Sequence, residues 1–277
     1  MPGILSRMAR MARLPLLVLL PLLVRLAEMA GIAGTRCPVC SVLTSGPGTP
    51  LCADCALALR PRRHGCCVRC GDMFGDSADH AADGSDDLSP APAVICAECR
   101  LDPPPWERLH FHGAYSGALR DLIIDYKFHG GLHRTRLLTS LAAEALRHSA
   151  DTPGREPCDV IVPVPLHPRR LVARGYNQSI ELARGLGRSA GLPVVADALR
   201  RTRNTAPQLS LDRHERRENI RDAFAASPAR VHGRRVLLVD DVYTTGATLT
   251  ECARTLLAAG AAGVDVLVLA RARREPE

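Results

Sequence analysis

The chain has 277 residues, 46% of them hydrophobic and 23% charged, a globular balance that excludes a disordered or collagen-like polymer. Aromatics make up only 3%, so the core must be assembled from Leu, Val, Ile and Ala. A formal net charge of +7 suits an anionic partner, whether nucleic acid, a phosphate-rich substrate or a membrane surface, and by itself selects none of them.

Residues 1–35 form an N-terminal extension. Arg7, Arg10 and Arg13 precede an apolar run, Leu14 to Val24, closed by Arg25 and Glu28. This order resembles the first regions of a signal peptide. Pro21 interrupts the run, which is shorter than the roughly 18 apolar residues of a membrane span, so no stable span is expected. A short amphiphilic helix packed on the body, or residues upstream of a start at Met8 or Met11, is preferred to export, and the cytoplasm is the expected compartment.

Residues 36–105 are dominated by cysteine. Four C-x-x-C units occur: Cys37/Cys40, Cys52/Cys55, Cys67/Cys70 and Cys96/Cys99. Two residues between cysteines let both sulfurs face one ion from a tight knuckle, and two knuckles complete a tetrahedral thiolate site. Two structural zinc ions are therefore expected, one on Cys37, Cys40, Cys52 and Cys55 and one on Cys67, Cys70, Cys96 and Cys99. Interleaved pairing is the alternative. An acidic stretch, 76–92, separates the last two knuckles and reads as a mobile loop. Metal removal is expected to unfold the ribbons and to leave the ligand site of the C-terminal domain largely intact. Cys66, Cys158 and Cys252 fall outside the scheme, the last two expected to be buried.

Residues 106–277 read as an α/β domain. Strands are predicted at Asp159 to Val164, Arg235 to Val239 and Val264 to Leu269. Helices are predicted at Leu119 to Phe128, Arg134 to His148, Gln178 to Ala190 and Leu249 to Ala259. Such alternation implies a doubly wound, mainly parallel sheet that binds ligands at the carboxyl ends of its strands. At one such end lies VLLVDDVYTTGAT, Val236 to Thr248. The turn Thr244-Thr245-Gly246-Ala247-Thr248 offers backbone N–H and hydroxyl donors to a phosphate at a helix start. The carboxylates of Asp240 and Asp241 would repel that phosphate and are better used as acceptors for hydroxyls. A phosphate cradle beside a diol acceptor pair describes a ribose 5-phosphate.

The string resembles the binding motif for 5-phosphoribosyl 1-diphosphate (PRPP) in type I phosphoribosyltransferases. With the cysteine knuckles, Asp125-Tyr126-Lys127-Phe128 and VIVPVPLHPRRLVARGYNQS from Val160 to Ser179, it is similar to the ComF family of competence-associated proteins. The resemblance implies a double zinc ribbon followed by a phosphoribosyltransferase-like domain that takes PRPP with Mg2+. It implies that Asp240 and Asp241 hold the ribose hydroxyls and that residues Thr244 to Thr248 hold the 5-phosphate. Val164, Pro165, Leu166 and His167 would form the pyrophosphate loop, with Arg174, Asn177 and Gln178 lining the same mouth. Arg201, Arg203, Thr205 and Gln208 would belong to a flexible hood closing over PRPP. Lys127 is the single lysine among 36 basic residues, and its ammonium is expected to approach Asp240 and Asp241 or the diphosphate.

Two function classes follow. One is an enzyme moving phosphoribosyl from PRPP to an unidentified nucleophile with release of pyrophosphate. The other is a non-catalytic competence protein that binds single-stranded DNA or a DNA-processing partner. Aromatic stacking platforms for a single strand are scarce, with four Tyr, four Phe and one Trp.

Overall fold

The computed structural model describes residues 36–44, 51–62, 64–74, 94–128, 130–150, 156–203 and 220–273. The expectations placed on residues 1–35, on 76–92 and on Thr205 and Gln208 lie outside them. The chain divides into two compact units, Met1–Leu57 and Ala58–Glu277.

In the first unit the Cys37–Cys40 knuckle is a tight turn. The N–H of Cys37 donates to the Val42 carbonyl at 2.8 Å, and that of Ser41 to the Cys37 carbonyl at 2.8 Å. Ser41 takes the left-handed region, φ 63°. Cys52 and Cys55 sit at the start of helix α1 (Ala53–Ala58), where the Ala56 N–H reaches the Cys52 carbonyl. The second unit repeats this knuckle at Cys67–Cys70, with Gly71 at φ +67°. There a side chain is excluded twice over, because a Cβ would lie 2.9 Å from Leu109 and 3.1 Å from Phe111. Helix α2 (Ala97–Leu101) carries Cys99, and the Cys96 sulfur caps its start.

The rest of the second unit is the α/β body. Its strands are β1 (Leu109–Ala114), β2 (Val160–Pro163), β3 (Leu199–Arg201), β4 (Phe224–Ala226), β5 (Arg235–Val239), β6 (Val242–Tyr243) and β7 (Gly263–Arg271). Its helices are α3 (Gly117–Phe128), α4 (Thr135–Ala150), α5 (Pro168–Arg174), α6 (Gln178–Ala190), α7 (Pro228–Val231) and α8 (Ala247–Ala258). The main sheet runs β1-β7-β5-β2 with β6 beside β7, and every pairing in it is parallel. Strands β3 and β4 form a separate antiparallel ribbon.

Alternation along the strands sorts side chains to the two faces. Val236 and Leu238 of β5, and Val264, Val266 and Val268 of β7, join Leu249, Cys252, Ala253 and Leu256 of α8 in one core. Helices α4 and α6 cover the opposite face, α4 against β1 and β7 and α6 against β2 and β5. Each fully buried Val, Leu or Ile stabilises the body by roughly 1.5–3 kcal/mol, which offsets the scarcity of aromatics.

The predicted strands and helices are present, and β1 and α5 are among the elements that were not expected. Strand β1 alternates Leu109 and Phe111 with His110 and His112, a pattern of a half-exposed strand, yet both histidines are buried. His110 faces Asp265 at 3.7 Å and His112 faces Glu144 at 3.8 Å. The short helix α5 is arginine-rich and starts on Pro168, with His167 accepting the Arg169 N–H through Nδ1. Cys158, expected in the interior, is only half-buried. It lies at the amino edge of the sheet before β2 and donates to Asp265 Oδ2 at 3.5 Å. Cys252 is buried as expected.

Candidate functional site

Chain direction creates the crevice. After β2 the chain runs through α6 and returns on the outer side of β2, where Val194 bridges Ile161 in parallel. After β5 it runs through α8 to β7, on the other side of β5. The crossovers diverge between β2 and β5, so the loops at their carboxyl ends splay apart and leave a topological switch point.

Asp240 and Asp241 stand there. Asp240 Oδ1 accepts from Ser179 Oγ at 2.8 Å, across the crevice from the start of α6, and from the Asp241 N–H at 2.9 Å. Asp241 is buried, and its Oδ1 receives Lys127 Nζ at 2.8 Å from the end of α3. The other oxygen, Asp241 Oδ2, is buried without a hydrogen-bond partner among the described residues. Burial, then the neighbouring Asp241 charge, push the Asp240 carboxyl up to about 7, against the restraining effect of Lys127 and the Ser179 hydroxyl. Burial opposes the Lys127 charge, but the Asp241 carboxylate overrides it and holds the ammonium above its ordinary value.

The turn after β6 completes this side. Gly246 has φ +79° and begins α8, a helix of three turns, with no side-chain cap of its own. Thr245 Oγ1 lies 3.5 Å from the Ala247 nitrogen. Thr244 is exposed and Thr248 half-buried.

The opposite wall is the loop Val164-Pro165-Leu166-His167. The Val164 N–H donates to the Val239 carbonyl, and Asn177 Nδ2 donates to the Val164 carbonyl at 3.1 Å. Asn177 Oδ1 caps α6 by accepting the Ser179 N–H at 2.9 Å. Asn177 and Gln178 are buried, and the Gln178 carbonyl takes the Tyr126 hydroxyl at 3.2 Å. They brace the crevice from behind rather than line its mouth. Arg174 stacks over the Phe128 ring at 5.1 Å. Burial and the cations Arg201, Arg169 and Arg170 hold the His167 imidazole below its ordinary value, leaving it neutral at pH 7.

Of the hood residues, Arg201 ends β3 and lies over the Phe224 ring at 5.4 Å, so the segment springs from a paired ribbon. Arg203 Nη2 donates to the Arg221 carbonyl at 2.8 Å, joining the two ends of the segment. Ser179 itself carries no mark of this role in the sequence, although it closes the stretch from Val160 to Ser179. The signal was Asn177 two residues before it, a helix cap that points the serine into the crevice.

The cysteines assemble as two sets, Cys37/Cys40/Cys52/Cys55 and Cys67/Cys70/Cys96/Cys99, each with its sulfurs within 4.8 Å of one another. Cys40 and Cys52 sulfurs are 3.5 Å apart, and Cys70 and Cys96 sulfurs 3.7 Å. Four sulfurs at about 2.3 Å from a central ion would be spaced about 3.8 Å apart, so both sets fit tetrahedral zinc. The electrostatics agree. The Cys70 thiol, then main-chain N–H groups, lower Cys67 to about 4, and that thiolate with burial pushes Cys70 up. In the first set burial opposes ionisation of Cys37, yet the N–H groups of Cys40, Cys52 and Val39 bring it down to about 6. One thiolate per set forms readily, while Cys40 and Cys55 in the first set and Cys70 and Cys99 in the second are held above the ordinary thiol value. Metal analysis of protein purified without chelator is expected to give two zinc ions per chain; disulfides among these eight cysteines would contradict the assignment.

A parallel α/β sheet with an acidic pair and a glycine turn at its switch point, in a chain with two four-cysteine sets that could hold metal, defines a protein of the phosphoribosyltransferase fold. The phosphoribosyl transferase domain family matches residues 174–277. The chain is 39% identical over 176 residues to the DNA utilization protein YhgH of Escherichia coli K12, covering 64% of this chain and 77% of that one. It is 32% identical over 224 residues to competence protein F of Haemophilus influenzae Rd, covering 80% and 90% respectively. The chain belongs to the ComF family. Among solved structures, glutamine PRPP amidotransferase from B. subtilis, complexed with ADP and GMP, matches with 23% identity and a TM-score of 0.33. That match covers 49% of this chain and 26% of the other. Among the described residues no helix is long and apolar enough to cross a membrane.

Proposed function

We propose that the crevice binds PRPP and that the protein transfers its phosphoribosyl group to a nucleophile with release of pyrophosphate. The observation that carries this reading is Asp241: one oxygen is held by Lys127 and the other is buried with no donor among the described residues. A buried acceptor left so costs about 1–3 kcal/mol, which a ligand hydroxyl would recover. The ribose 2- and 3-hydroxyls are donors of the right size for Asp240 and Asp241, and the 244–248 turn suits the 5-phosphate.

In the reaction the nucleophile's lone pair forms a bond to ribose C1 as the C1–oxygen bond breaks. The electron pair leaves with pyrophosphate, and the nucleophile's proton passes to solvent. Positive charge developing on the sugar lies beside the two carboxylates. The diphosphate would lie along Val164–His167, with the guanidinium groups of Arg201 and Arg203 as its cationic partners. Mg2+ bound with PRPP would neutralise the leaving group, held by the diphosphate oxygens and the nearby carboxylates. The cysteine sets would hold zinc in a structural role, in the reducing cytoplasm.

A second reading is a binder of DNA or of a DNA-processing partner without turnover. The net charge of +7 and the competence and DNA-utilization names of the relatives favour it. Pyrophosphate release from PRPP and Mg2+, screened over amines and nucleobases, separates the two. The enzyme reading expects release with at least one acceptor; PRPP binding with no release across the screen favours the second.

A further inference from the structure

The second cysteine set and the 244–248 turn are far apart in sequence but share one buried residue. Arg271, at the end of β7, is 2% exposed. Its Nε donates to the Cys70 carbonyl at 2.8 Å, and its Nη1 donates to the Thr244 carbonyl at 2.9 Å and also to that of Ala272. The guanidinium lies 4.2 Å over the Tyr243 ring, and Tyr243 pairs with Arg271 in the β6–β7 register.

A second strut runs in parallel. Trp106 Nε1 donates to the Arg69 carbonyl at 2.6 Å, and its indole meets the Tyr243 ring edge-on at 6.0 Å. Two consecutive carbonyls of the knuckle, those of Arg69 and Cys70, are thus held by residues that both rest on Tyr243. Tyr243 in turn underlies the turn: a Cβ on Gly246 would come within 2.6 Å of its hydroxyl oxygen. The shape of the knuckle therefore reaches the start of α8 through rigid, buried groups.

We infer that the Cys67–Cys70 knuckle, Arg271 and Trp106 form the fixed base of the 244–248 turn, so that metal in the second cysteine set holds the turn in its phosphate-binding shape. This rests on the PRPP reading of that turn. Arg271 is a positioning residue. Only a planar fork can donate to two carbonyls in fixed directions while stacking on a ring; an ammonium on a flexible stem cannot. A metal across Cys67 and Cys70 fixes where the carbonyls of Arg69 and Cys70 point, and without it the knuckle has no reason to keep them on Trp106 and Arg271. On this inference metal loss from this set would not spare the PRPP site, the opposite of the expectation drawn from the sequence.

The test is hydrogen exchange of the 243–248 segment in the full-length chain, with PRPP affinity, zinc content and circular dichroism measured alongside. Arg271→Lys should keep its zinc and helix content while the segment exchanges at least tenfold faster and PRPP affinity falls at least tenfold. Cys96→Ser, which opens the second set, should accelerate the same segment. The two together should do no more than either alone, because both cut one connection. If Arg271→Lys does not fold, Trp106→Phe, which keeps an aromatic ring of smaller size and removes the bond to Arg69, is read in the same way. Folded, zinc-loaded Arg271→Lys or Trp106→Phe with wild-type exchange, or Cys96→Ser with an unchanged segment, overturns the inference. Failure of the wild-type chain to bind PRPP would instead count against the proposed function, and the exchange measurement still decides the coupling.

Discussion

Replacing both Asp240 and Asp241 by Asn is expected to abolish PRPP binding, by at least a hundredfold, in a protein that stays folded. Each carboxylate would accept a ribose hydroxyl in a charge-assisted hydrogen bond, worth about 1.5–3 kcal/mol apiece, and an amide is the weaker acceptor. Folding is expected to survive because Asn at 240 still offers an oxygen to Ser179 Oγ and to the next N–H, and Asn at 241 still offers one to Lys127 Nζ, whose side chain is 18% exposed. The single change Asp240→Asn should even stabilise the ligand-free chain at pH 8. The sign follows from the folded carboxyl being raised from 3.8 to about 7. A raised acid contributes stability that is fully present below its unfolded value and is lost as pH climbs through the folded value. Above pH 7 the charged Asp240 is thus a burden of about 2–4 kcal/mol that the neutral amide removes. Urea unfolding at pH 5 and pH 8, with a calorimetric PRPP titration, checks both halves. Wild-type affinity in the folded double variant would remove these residues from the site. The same titration implies that wild-type PRPP affinity rises from pH 6 to pH 8 as Asp240 ionises.

Lys127→Met is expected to cost about 2–4 kcal/mol of stability, because it leaves the buried Asp241 charge without its cation. Nζ is not fully enclosed, the side chain being 18% exposed, which keeps the figure below that of a sealed pair. Lys127→Arg conserves the charge yet should weaken PRPP binding about tenfold. The larger planar group cannot keep a single 2.8 Å contact with Oδ1 without also crowding Oδ2, the oxygen left for a ligand hydroxyl. Thermal unfolding separates Met from Arg, and the PRPP titration separates Arg from wild type. An Arg variant with unaltered affinity would make Lys127 a structural residue only.

What could be read from the residues alone was chemistry confined to short stretches. Metal geometry demands paired cysteines two residues apart, so the knuckles announce themselves, and the two sets close as the spacing implied. The acidic pair and the turn after it lie on one strand–turn–helix segment. Their juxtaposition is local, and the strand before them is apolar throughout. Lys127 was found by rarity, the one lysine in an arginine-rich chain, and its ion pair with Asp241 spans the crevice.

What escaped depends on distant contacts. Arg271 meets Cys70 across 201 positions and Trp106 meets Arg69 across 37, and an arginine or a tryptophan carries no local mark of such a role. Strand β1 was hidden because its histidines look solvent-facing until Asp265 and Glu144 arrive from β7 and α4 to receive them. Asn177 and Gln178 suggested a polar mouth by type alone, whereas burial turns them into a cap and a brace.

The most direct test of PRPP binding at this crevice is a calorimetric titration of the zinc-loaded, full-length protein with PRPP and Mg2+, with ribose 5-phosphate and pyrophosphate titrated separately. Saturable binding of one PRPP per chain, tighter than either fragment and lost in the Asp240→Asn/Asp241→Asn variant, is the predicted result. No heat of binding with PRPP, or equal binding to the wild type and the double variant, would contradict it.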